Sequence, residues 1–141
     1  MKSYINIEQS KILAKILPIE SADMCWCNNS IKGVNYTDEF SANLYTVKEM
    51  KELFDTTLNG WDKYWELIPC WSLASLLNYL REVDYFPEIN VDEFEVTMSI
   101  NYYNEDEAKP LAPIHNIKVK AESFIDACYE LILKLKEQKL L

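Results

Sequence analysis

Three side chains in this sequence have the types needed for a nucleophile and its base. In the stretch Ile-Pro-Cys-Trp-Ser-Leu-Ala-Ser-Leu-Leu, residues 68–77, Cys70 and Ser72 stand just ahead of an apolar stripe at helical spacing. A thiol before a helix N-terminus feels the positive end of the helix dipole, which lowers its pKa and favours the thiolate. A hydrolase built on either residue also needs a base in hydrogen-bond reach, and His115 is the single histidine of the chain. A plainer reading competes: Pro69 stops what precedes it, Cys70 is a small apolar filler, and Ser72 caps a helix by accepting from the amide of Ser75. The plainer reading is preferred, and no catalytic residue is assigned. The alternative, a small-ligand binder or hydrolase near Trp71, Ser72 and His115, requires Cys70, Ser72 and His115 to converge in one open cleft.

Other chemistries fare worse. Cys25 and Cys27 could put two thiolates on one strand face, but zinc needs about four ligands, and the rest would have to come from Cys70, Cys128 or His115 across the fold. No metal site and no cofactor is expected, and the four cysteines are read as reduced. Gly33 and Gly60 are the only glycines, so a glycine-rich phosphate loop cannot be built. Trp61, Tyr64, Trp65 and Trp71 crowd together in the sequence. They could form a stacking platform or the hot spot of a protein interface, where Trp and Tyr are enriched, or simply pack the core beneath a loop. Trp61, Tyr64, Trp65, Trp71 and His115 are the candidate binding residues.

The elements that must position these residues can be read from caps and periods. Asn6 and Gln9 form a capping box that opens a helix with the stripe Ile7, Leu13, Ile16 and Leu17, closed by Pro18. Residues 22–27 alternate, with Ala22, Met24 and Trp26 set against Asp23, Cys25 and Cys27, the period of a half-buried strand. Residues 31–45 carry no clean period. Thr46 and Glu49 make a second box, and Val47, Met50, Leu53 and Phe54 predict a short helix to about Asp55. Ser72 opens a third helix, with Leu73, Leu76, Leu77 and Leu80 inward, running to about Val83 and followed beyond Pro87 by an acidic loop. Residues 94–102 and 115–120 alternate clearly and suit an antiparallel pair with favourable cross-strand Glu and Lys. Ser123 and Asp126 open the last helix, whose buried stripe is Phe124, Ala127, Cys128, Leu131 and Leu135. These elements predict a single α+β domain over 1–141, with a small antiparallel sheet packed against about four helices.

Composition bounds the function. At 141 residues, 49% hydrophobic and 13% aromatic, the chain is long and apolar enough for a globular core without disulfide staples. Its net charge of −9 is concentrated: residues 81–107 hold nine acids and one base. Such a stretch repels phosphate backbones, so direct nucleic-acid binding is not expected, while a basic protein partner would be attracted. No apolar run reaches the roughly 20 residues needed to span a bilayer, and the N-terminus lacks a signal peptide's apolar core. A soluble, cytoplasmic protein is the expectation. Oligomeric state leaves no mark in the sequence.

Four sequence features carry a resemblance. Gln9, Ser10 and Leu13; Ser21 to Met24; and Pro69 with Trp71 to Leu73, Leu76 and Leu77 stand with Asp126-Ala127 in a terminal helix. Together they resemble a family of small uncharacterised bacteriophage and prophage proteins, especially from gut Bacteroides-type bacteria. The resemblance implies a phage or mobile-element setting and no catalytic assignment. The expected function is that of a non-enzymatic accessory protein binding a host or phage protein.

Overall fold

The structure is a computed structural model that describes residues 3–31, 42–54, 65–92, 95–103 and 114–141. Chain order among them is α1 (Ile7–Leu13), β1 (Met24–Ile31), β2 (Ala42–Thr46), α2 (Val47–Phe54), β3 (Trp65–Cys70), α3 (Leu73–Glu82), β4 (Glu88–Val91), β5 (Val96–Tyr103), β6 (Ile114–Ala121) and α4 (Phe124–Glu137). The α+β class holds. In place of one small sheet there are two, each three-stranded and antiparallel, ordered β2-β1-β3 and β4-β5-β6. The chain divides into two compact units, Tyr4–Leu76 and Met1–Ser3 with Leu77–Leu141, and each sheet belongs to one of them.

In the first unit β1 is central. Met24 pairs with Thr46 on one side and Cys70 on the other, and Cys25 lies opposite Tyr45 and Pro69. β3 carries no period that announces a strand, and its Pro69 argues against one. An edge strand tolerates that proline because one of its sides needs no ladder hydrogen bond. The alternation of residues 22–27 is real, and within the strand the cysteines are its deeper positions: Cys25 and Cys27 are buried, with Tyr45 and Leu67 against them, while Met24 and Trp26 are half-buried. A free cysteine buries as readily as a small aliphatic residue, whereas a tryptophan is rarely enclosed completely. Asn6 and Gln9 complete their reciprocal cap at 2.8 and 3.0 Å. α1 stops at Leu13, and irregular turns carry the chain to Pro18. α1 lies against β3.

The second unit contains the elements most plainly written in the sequence. Val96, Met98 and Ile100 on β5, with Ile117 and Val119 on β6, are buried, and the register sets Met98 opposite Val119 and Ile100 opposite Ile117. Phe94, expected on the same face, lies outside the described residues. The expected Glu-Lys attraction is realised diagonally, Lys120 to Glu95 at 3.3 Å. Ser123 caps α4 by accepting from the Asp126 amide at 3.2 Å. α4 lies against β6 and β5; of the expected stripe Ala127, Cys128, Leu131 and Leu135 are buried and Phe124 is half-buried, while Ile125, Tyr129 and Ile132 join the buried face. Residues 88–91, expected as part of an acidic loop, form β4, paired with β5 and exposed along its whole length.

Candidate functional site

The residues around the 70–72 stretch are held by three long-range attachments. Ile5 donates its amide to the Trp71 carbonyl at 3.2 Å, and Tyr4 bridges to Ser72, so the N-terminal segment runs beside this stretch. The Trp71 indole N–H donates to Ser21 Oγ at 2.9 Å, and that hydroxyl donates onward to the Pro18 carbonyl at 2.6 Å. Asp23 receives the Ser72 amide on one carboxylate oxygen at 2.9 Å and the Ser72 hydroxyl on the other at 2.5 Å. The Ser72 hydroxyl in turn accepts from the Ser75 amide at 3.2 Å, the cap expected from the sequence. Two motifs read separately, Ser21 to Met24 and Pro69 to Leu77, are therefore the two halves of one hydrogen-bonded joint.

This joint does not activate a nucleophile. Cys70 is fully buried, and its thiol donates to the Ile5 carbonyl at 3.4 Å. Burial pushes the Cys70 thiol up to about 11; the Ser10 hydroxyl opposes this, the Asp23 carboxylate adds to it, and the Trp71 amide and Trp26 indole oppose it. Desolvation of the thiolate thus outweighs any help from a helix dipole, which reverses the direction expected for a thiol ahead of a helix. Ser10 Oγ and Trp26 Nε1 are buried beside this sulfur. Burial likewise pushes Cys25 and Cys128 up to about 12 and raises Cys27. All four cysteines are buried, and none is in a disulfide. Among the described residues, no group of three or more His, Cys, Asp or Glu side chains is placed to hold a metal ion.

The remaining candidates scatter. His115 belongs to the second unit, on β6 opposite Tyr102, with the two rings stacked 5.2 Å apart at 25°. Cys70 and Ser72 belong to the first unit, so neither unit by itself assembles the proposed nucleophile and base. Trp71 is fully buried and offers no ring face to a ligand. Trp65 begins β3, paired with Ile31. Trp61 and Tyr64 lie outside the described residues.

A different feature was missed in the sequence. The exposed large apolar side chains among the described residues are Ile12, Phe86, Ile89 and Val91, and the last three sit on or just before β4. Their signal was present: after Pro87, Ile89 and Val91 alternate with Glu88, Asn90 and Asp92, a period of two that the density of acids obscured.

Comparison with known proteins adds no relative: no family model matches the chain, and no match is found among the curated proteins or the solved structures. Among the described residues no helix is long and apolar enough to cross a membrane.

Proposed function

We propose that the protein is a non-enzymatic accessory protein that acts by binding another protein, and that its setting is a phage or prophage in the cytoplasm of a bacterial host. One observation carries the binding reading. Phe86, Ile89 and Val91 stand exposed inside the stretch that holds nine of the chain's acids and one base. An apolar centre rimmed by charge is the usual anatomy of a recognition surface, and the sign of the rim selects a basic partner over a nucleic acid. The phage setting rests on the resemblance carried by Gln9-Ser10, Ser21 to Met24 and Pro69 to Leu77. The alternative hydrolase or small-ligand site near Trp71, Ser72 and His115 draws no support from a buried Trp71 and a Ser72 hydroxyl engaged with Asp23.

The test is affinity capture from a Bacteroides-type lysate beside a thermal-shift screen of small metabolites. The expected result is a stoichiometric protein partner and no metabolite that raises the melting temperature. A metabolite that stabilises the protein, with no partner recovered, would overturn the reading.

A further inference from the structure

The second unit's sheet is covered unevenly. By register, Ile89 lies opposite Met98 and Val91 opposite Val96, so these pairs share the face that on β5 and β6 is buried. α4 lies against β6 and β5, yet Ile89 remains 42% and Val91 55% exposed. The core face therefore continues onto β4 while its cover does not. The other face reads Glu88, Ser99, Lys118 in one cross-strand row and Asn90, Thr97, Lys120 in the next. Base lies at the β6 side and acid at the β4 side. Among the described residues β4 is an edge strand, with β5 as its one strand neighbour.

An edge strand with an uncovered apolar face is a template for one more strand. We propose that β4 is the docking edge for an extended segment of a partner protein, added as a fourth strand, in which apolar residues alternate with Lys or Arg. This rests on the protein-binding reading above. The apolar residues of the added strand would continue the row beyond Ile89 and Val91 beside α4. Its basic residues would fall next to Glu88, where an opposite charge across strands is favourable and a like charge is not. That same rule disfavours a second copy of this chain pairing β4 to β4, since it would bring two acidic stretches together.

The probe is the fluorescein-labelled peptide Lys-Val-Lys-Val-Lys-Val-Lys, followed by anisotropy, with Glu-Val-Glu-Val-Glu-Val-Glu and Lys-Asn-Lys-Asn-Lys-Asn-Lys as controls. The expected result is saturable binding of the first peptide, at least tenfold weaker binding of both controls, and slowed amide exchange along β4. Ile89→Lys should weaken the first peptide at least tenfold. Glu88→Lys, at an exposed position that leaves the apolar face intact, should do the same should the first variant fail to fold. Equal binding of the two basic peptides, or binding unchanged in a folded variant, overturns the proposal. So does concentration-dependent self-association of the wild type that Glu88→Lys leaves intact or strengthens. If lysate capture still recovers a partner while the alternating peptide does not bind, strand addition fails and the protein-binding reading stands.

Discussion

Asp23 ties three elements at once. Its carboxylate holds the amide and hydroxyl of Ser72 at the entrance of α3, its carbonyl accepts the Val47 amide at 3.1 Å at the entrance of α2, and β1 begins one residue later. A charge-assisted cap of this kind contributes about 1–2 kcal/mol. Asp23→Ala and Ser72→Ala should each destabilise by about that amount, and the double variant should cost less than the sum because the two share one interaction. Urea denaturation of the four proteins measures this; strict additivity would show that the joint is not a unit. The four thiols make a second prediction. Cys25, Cys70 and Cys128 rise from an ordinary value of 9.0 to about 12, 11 and 12. Folding keeps their protons, so the stability they confer is whole below about pH 9 and is lost as pH climbs towards 11 and 12. Tyr79 and Tyr129, also raised, act in the same direction. The urea midpoint should hold from pH 7 to 8.5 and fall above that range, less steeply in Cys128→Ala. At pH 8, a thiol reagent such as Ellman's should modify native protein slowly and all four cysteines rapidly once the chain is unfolded. A single fast native thiol would contradict the burial.

At the scale of elements, local signals were legible and long-range ones were not. The caps at Asn6, Thr46, Ser72 and Ser123 each involve residues three apart, and all four form. β5 and β6 were readable because one face is buried and the other wet, which writes the pleat directly into the sequence. β3 was not, since it is an edge strand containing Pro69 and its register depends on β1 some 40 residues earlier. The Trp71-Ser21 and Ser72-Asp23 bonds, which give two of the motifs their meaning, span 50 and 49 residues and leave no periodic trace. Helix ends hold a further surprise. Asp84 and Lys139 both sit at positive φ, 64° and 59°. At each, the next residue's amide reaches back across the turn, Tyr85 to the Leu80 carbonyl and Leu140 to the Leu135 carbonyl, both at 2.8 Å. This is the Schellman geometry, whose left-handed position favours glycine. Lys139→Gly should therefore stabilise the protein by about 0.5–1 kcal/mol, after the entropy cost of glycine is deducted. Scanning calorimetry would show a rise of a few degrees, and a lowered melting temperature would contradict the geometry.

Across the whole molecule, the acids and the exposed apolar side chains share one stretch of sequence. A net charge of −9 says little by itself, but most of its excess falls in the same stretch of sequence, residues 81–107, as three exposed apolar side chains. The sequence shows the acids plainly and hides the strand among them, so the candidate surface was half legible: its charge but not its edge. The aromatic cluster that looked like a binding platform contributes, among the described residues, Trp71 to the interior and Trp65 to the start of β3. On the binding reading proposed above, the partner is held on the face that contains β4. The most direct measurement of this is side-by-side affinity capture from the same lysate with the wild type and with a folded Glu88→Lys, Ile89→Lys double variant, quantified by mass spectrometry. A near-stoichiometric partner on the wild type and at least a tenfold loss on the variant are expected; a partner recovered equally by both would overturn the proposal.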